Sequence, residues 1–321
     1  MSSRPAGGGR AGRGREARVR VGVVGQAAFG RDVLEALLSA GEEVVGVSAP
    51  LAPEGAADPL AGAASEAGIP VLDTGSLREP APLEELRSWA PELLVFAFVT
   101  EIVTRDVLAV PRHGTIQYHP SLLPRHRGRS AMNWAIASGD PVTGLTIFWV
   151  DEGVDTGPVL LQREVPIGPD DTVGSLYFDR LYPMGVEALV EAVALVAAGR
   201  APRIEQDDAL ATYEPAMGRR HASVDWSRAA RPLYDHIRGC DPQPGASASL
   251  HGLEIRLFDA ALSPASGRTP PGTVLARTEA GAVEVAVIGG VLTVGRAQRP
   301  GERKRPAAEL LQPGDRLERT A

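Results

Sequence analysis

Two short loops hold the residues of this sequence best able to do chemistry. One is His119-Pro120-Ser121-Leu122-Leu123-Pro124-Arg125-His126-Arg127-Gly128, and the other is Val154-Asp155-Thr156-Gly157. Loops of this kind, held between regular elements, carry function more often than packing. An imidazole ordinarily titrates near neutrality, so His119 can accept or donate a proton during group transfer. Asp155 can orient that ring, balance its charge or take a proton through water. Gln117 stands two residues before His119 and, on a strand, shares its face. Its amide N–H suits an oxyanion, an effect of about 3 kcal/mol where it applies. Plainer roles compete: a histidine before proline serves turns, Asp-Thr-Gly is ordinary turn chemistry, and Gln117 can satisfy backbone at a strand end.

The other polar groups nearby carry weaker signals. Ser121 lacks the Gly-x-Ser-x-Gly context of a nucleophile. His113 and His126 could join Asp155 around a metal, but neither has helical i,i+4 spacing to His119, and no metal is expected. Arg125, Arg127 and Arg129 form a basic cluster suited to a carboxylate or phosphate, or merely to solvent. His221, His236 and His251 sit in no motif and read as surface or structural residues.

The elements that must position the two loops follow from periodicity. VRVGVVG, ending at Gly25, is a strand, RDVLEALLSAG has helical spacing and EEVVGVSAP is a second strand, which together make a β-α-β unit. Gly25 and Gly30 fit a dinucleotide fingerprint, but Ala27 occupies the position where a glycine must face the pyrophosphate, so a plain strand-to-helix turn is expected. Further strands are expected at 68–72, 93–98, 115–118 and 145–150, with helices between them and one helix over 172–198. That alternation implies an α/β fold with a parallel sheet. His119 and Glu101-Ile102-Val103 then fall just past strand ends, where open α/β sheets bind ligands. Residues 201–222 mix Pro, acid and Arg without period and read as a linker. Beyond them, short β-rich runs at 253–258, 272–276, 282–287 and 290–294 suggest a small barrel.

Composition narrows the function. The 321 residues allow one large domain or two ordinary ones. A net charge of −7 argues against gripping a phosphate backbone, although a local basic patch remains open. Lys304 is the only lysine, which confines Schiff-base chemistry to that position. The single cysteine, Cys240, excludes an internal disulfide and a CxxC metal knuckle. Without a membrane-length apolar run or a signal-peptide core, a soluble cytoplasmic protein is expected. Residues 1–17 are Gly, Arg and Ala with little to bury and read as a disordered arm, with an RGG-like RNA contact as the sharper alternative.

HPSLLPRHRG at 119–128, Asn133-Trp134, Thr146-Ile147-Phe148-Trp149 and Asp155-Thr156-Gly157 resemble the folate-dependent formyltransferase family. The likeness is closest to the amino-terminal hydrolase region of 10-formyltetrahydrofolate dehydrogenases and extends to methionyl-tRNA formyltransferases. VGVVGQAAFG at 21–30 and ATYEP at 211–215 support it. The resemblance implies a Rossmann-like formyltransferase domain over 18–205, then a linker and a small OB-like β-barrel domain over 206–321. It implies 10-formyltetrahydrofolate as one-carbon donor, His119 and Asp155 as essential to transfer, and a pterin seat made by Glu101, Ile102, Val103 and by Pro120, Ser121, Leu122, Leu123. Residues 300–319 resemble the end of that barrel. Where methionyl-tRNA formyltransferases carry Asn-x-His, this sequence reads Gln117-Tyr118-His119, so the oxyanion role of Gln117 differs by a methylene. The chain ends at Ala321, and no NADP-dependent oxidation is expected of it.

The expectation is therefore formyl transfer to an amine, with a small molecule as acceptor and no membrane partner. The alternatives are a 10-formyltetrahydrofolate hydrolase, hydroxymethyl transfer from 5,10-methylenetetrahydrofolate, a methionyl-tRNA formyltransferase, and a non-catalytic folate- or RNA-binding module.

Overall fold

The computed structural model describes residues 18–51, 57–99 and 103–320. The expected arm at 1–17 lies outside them. Seven strands build the first sheet: β1 (Arg20–Gly25), β2 (Glu43–Ala49), β3 (Val71–Asp73), β4 (Leu93–Ala97), β5 (Thr115–His119), β6 (Val142–Trp149) and β7 (Val159–Pro166). Their order is β3-β2-β1-β4-β5-β6-β7. From β3 to β5 the neighbours are parallel.

The near-continuous apolar runs of β1 and β4 fit burial on both faces of a sheet. Val21, Val23, Leu93 and Val95 enter one core, whereas Val24, Leu94 and Phe96 enter the other. This is the two-residue alternation of a strand. Helices α1 (Ala27–Ser39), α2 (Pro59–Glu66) and α7 (Tyr182–Ala197) cover the first face, with Phe29, Leu34, Leu60 and Leu189 in its core. Helices α3 (Pro80–Ser88) and α4 (Arg105–Leu108) supply Leu86 and Val107 to the second.

One expectation is corrected here and one is refined. The sheet is not wholly parallel, because β6 runs antiparallel to β5 and to β7. The short loop at 150–158 cannot make the crossover of a dozen or more residues that a parallel β6–β7 pair requires. The helix expected over 172–198 is present over 173–197, where α6 (Val173–Leu176) runs through a π-helical turn at Tyr177–Leu181 into α7 without interruption. Pro183 has no amide hydrogen to donate back along the helix, and the wider turn precedes it.

In the C-terminal part, α8 (Ala230–Gly239) packs Leu233, Tyr234 and Ile237 against Val283, Val285, Leu292 and Val294. The strands are β8 (Ala246–Leu250), β9 (Leu253–Pro264), β10 (Val274–Arg277), β11 (Val283–Val287), β12 (Gly290–Gln298), β13 (Arg305–Pro306) and β14 (Leu317–Glu318). They form an antiparallel sheet ordered β10-β11-β12-β9-β8-β14, with β13 on β12. An antiparallel bridge between Thr273 and Arg316, with Val274 N–H on the Asp315 carbonyl at 2.9 Å, joins the two ends and curls the sheet into a barrel. No helix among the described residues is long and apolar enough to cross a membrane.

Candidate active site

Burial of Ile116 and Tyr118 carries β5 inward and leaves His119 at its end, only 4% exposed. The Nε2 atom of His119 lies 2.9 Å from the backbone carbonyl oxygen of His126. A carbonyl oxygen only accepts, so Nε2 carries the hydrogen and Nδ1 is the proton acceptor of the neutral ring. That Nδ1 faces Asp155 Oδ2 at 3.5 Å. Asp155 is buried and adopts φ +56°, a left-handed conformation in which Asp is several-fold enriched over other non-glycine residues. Its Oδ2 also accepts from the Gly128 N–H at 2.8 Å. Gly157 completes the turn, since a Cβ there would collide with the Trp149 carbonyl. Burial pushes the Tyr118 phenol well above its usual range, which keeps this neighbour protonated.

The loop after His119 is fastened from β6 and β7. Thr146 Oγ1 donates to the Ser121 carbonyl at 2.7 Å and accepts from Leu123 N–H at 3.1 Å, while Gln162 Nε2 donates to the Leu123 carbonyl at 2.7 Å. The Ser121 hydroxyl is turned into its own loop, donating to the Arg125 carbonyl at 2.7 Å. Leu123 is buried, Leu122 packs over Gly144, and Pro120 is half-buried. Val103 is half-buried against the core around Phe96. Glu101 and Ile102 lie outside the described residues. Gln117 is half-buried, shares the strand face of His119, and its amide makes no hydrogen bond among the described residues.

The stretch at 201–222, read as a linker, is instead a strap across this site. Gln206 Nε2 donates to the carbonyls of Asp155 at 2.9 Å and Gly157 at 2.7 Å. Thr212 Oγ1 accepts from His126 N–H at 2.8 Å, and the His126 ring lies between Asp140 Oδ2, 2.9 Å from Nε2, and Glu214 Oε2, 3.2 Å from Nδ1. Aperiodic sequence hid these residues; the ATYEP likeness, which contains Thr212 and Glu214, was their one signal. The expected basic cluster is partly consumed within the chain: Arg125 pairs with Asp140 at 2.6 Å, and Arg127 with Asp208 at 2.8 Å.

Other motif residues are structural. Asn133 Nδ2 donates to the Gly239 and Gln243 carbonyls at 2.8 and 2.9 Å, tying helix α5 (Ala131–Ala137) to the end of α8, and Trp134 Nε1 donates to the Pro215 carbonyl at 2.7 Å. His113 accepts from Arg112 at 3.2 Å and does not join His119. His236 is mostly buried, and that burial pushes its imidazole below the usual range. Among the described residues no cluster of His, Cys, Asp and Glu could hold a metal ion.

The first strand-to-helix turn differs from the loop after β5. A Cβ on Gly25 would collide with the Ala97 carbonyl, and the Ala27 N–H is taken by Asp58 Oδ2 at 2.8 Å. An internal carboxylate thus occupies the amide that a pyrophosphate would use. Beside it, a cavity of about 150 Å³ is lined by Gln26, Leu51, Asp73, Thr74 and Phe98.

Comparison with known proteins adds independent findings. Residues 17–193 match the model of a family described as formyl transferase, and 217–313 match that of the formyl transferase C-terminal domain. The mouse mitochondrial 10-formyltetrahydrofolate dehydrogenase is 40% identical across 93% of this chain, which spans about a third (34%) of that relative. A methionyl-tRNA formyltransferase of Geobacter sulfurreducens is 35% identical across 94% of this chain and 97% of its own length. The fold is similar to HypX from Aquifex aeolicus, solved in complex with tetrahydrofolic acid, with a TM-score of 0.68 at 22% identity over 92% of this chain and 47% of that one.

Proposed function

We propose, from the premise that this chain belongs to the formyl transferase family, that it moves a formyl group from 10-formyltetrahydrofolate to the amine of a small-molecule acceptor. The observation that carries this reading is the buried His119–Asp155 pair with, on the same strand face, the Gln117 amide, which has no hydrogen-bond partner among the described residues. An open amide donor beside a proton acceptor fits a formyl oxygen and an attacking amine.

When bound, the folate supplies the formyl carbon. Val103 and the segment Pro120–Leu123, with Glu101 and Ile102, are the residues we assign to the pterin. His119 Nδ1 takes the proton that the attacking amine loses, Asp155 balances the resulting imidazolium charge, and the ring returns that proton to N10 of the folate as the N10–formyl bond breaks and tetrahydrofolate leaves. Gln117 donates its amide N–H where negative charge develops on oxygen. We assign donor binding to residues 18–205; within 206–321, the strap supports the site and the barrel follows.

A small acceptor is supported by the net charge of −7 and by Asp58 and Asp73 at the first strand-to-helix turn, which disfavour a phosphate-rich partner there. The test is to incubate the protein with 10-formyltetrahydrofolate, with and without a panel of amino sugars and other primary amines, and to follow tetrahydrofolate, formate and amine mass. Formylated amine is the expected product. Formate released equally without an amine would make it a hydrolase, and consumption of 5,10-methylenetetrahydrofolate alone would overturn the donor.

A further inference from the structure

We propose that His126 is a positioning residue: two carboxylates grip its imidazole, its backbone carbonyl is thereby held on His119 Nε2, and that contact fixes which nitrogen of His119 accepts the proton. The inference rests on the proposed role of His119 but concerns residues that role does not use.

His126 adopts φ +56°. A left-handed backbone is uncommon for any non-glycine residue and persists where the surroundings over-determine it. Two segments do so here, the turn that holds Asp140 and the strap that holds Thr212 and Glu214. Asp140, in the turn between α5 and β6, lies 2.9 Å from Nε2 and is itself held by Arg125 at 2.6 Å. Glu214, from the strap, lies 3.2 Å from Nδ1, and Thr212 takes the backbone N–H at 2.8 Å. The Nδ1 atom of His126 and the Oε2 atom of Glu214 are both buried and, among the described residues, have no hydrogen-bond partner; they face each other at 3.2 Å. Glu214 falls between the two stretches matched by the family, 17–193 and 217–313, so neither match supplies this part of the clamp.

The consequence is tautomeric. With its Nε2 hydrogen held by the His126 carbonyl, His119 keeps the Nδ1 lone pair toward Asp155, where an added proton meets a carboxylate 3.5 Å away. If the carbonyl moves, the ring is free to carry its hydrogen on Nδ1, donate it to Asp155, and present its lone pair on the wrong side for the incoming amine.

The test uses the full chain labelled with 15N-histidine. The His119 resonances are assigned by their loss in His119→Gln, and imidazole nitrogen shifts and steady-state kinetics are recorded for the wild type, Glu214→Gln, Glu214→Asp and Asp140→Asn. We expect the Nε2–H form in the wild type and a measurable Nδ1–H population in Glu214→Gln and Asp140→Asn. In those two variants kcat should fall on the order of 10-fold with donor KM unchanged, and Glu214→Asp should recover part of the loss. An unchanged His119 tautomer in folded Glu214→Gln and Asp140→Asn overturns the proposal, as does a loss confined to KM. The nitrogen shifts need no turnover, so they decide the clamp even if the donor reading fails; retained turnover in His119→Gln would defeat that reading alone.

Discussion

After β1 the chain turns through Gly25-Gln26-Ala27 into α1, and after β5 it runs from His119 to Gly128 before α5 begins. Both segments leave strands of the parallel part of one sheet, where ligands commonly bind. In the first, the helix-start amide of Ala27 is consumed by Asp58 and the backbone is closed by contact between Gly25 and Ala97. In the second, the chain fastens the backbone through Thr146 and Gln162 but leaves the Gln117 amide without a partner among the described residues and aims the His119 lone pair at Asp155. A glycine pattern alone does not distinguish the two. What does is where each polar group finds its partner.

Substitutions can break this contrast, beginning with the loop after β5. Exchanging His119→Ala or Asp155→Asn is expected to lower kcat by about 10²- to 10⁴-fold, the range for a lost general acid–base group, without loss of donor binding measured by titration. For Gln117→Ala, kinetics should show a fall in kcat of roughly 10²-fold with an unchanged Tm, as for a single oxyanion donor.

At the β1 turn the same class of change should act on stability instead. Gly25→Ala pushes a methyl group into the Ala97 carbonyl and should destabilise by about 1–3 kcal/mol in denaturant unfolding. Asp58→Ala removes one carboxylate that accepts from both Ala27 and Leu60, at 2.8 and 2.9 Å. Its expected cost is about 1 kcal/mol, with turnover in the surviving folded protein unchanged. A strong loss of turnover at Asp58 with normal stability would erase the distinction between the two turns.

Much of this was legible in the sequence, for physical reasons. The apolar runs of β1 and β4 announced buried strands, and the turn residues around His119 and Asp155 marked loops with polar content that packing does not require. Ala27 was the reason to expect a plain strand-to-helix turn there, and the turn found closes Gly25 on Ala97. The strap was illegible because Gln206, Thr212 and Glu214 act through hydrogen bonds and an ionic approach to residues far away in sequence, in a stretch with no period to betray them. Asp58 was missed likewise, since its partner Ala27 lies a whole strand and helix earlier. The antiparallel β6–β7 pair was readable in hindsight from loop length alone, while the π turn before Pro183 needed the backbone itself.

The most direct test of the account is a single-turnover experiment with excess enzyme and 10-formyltetrahydrofolate, run on the wild type and on Asp155→Asn with matched donor occupancy. The account predicts that the wild type consumes the donor in the presence of a competent amine while Asp155→Asn binds the donor equally and leaves it intact. Comparable consumption by the two proteins would contradict it.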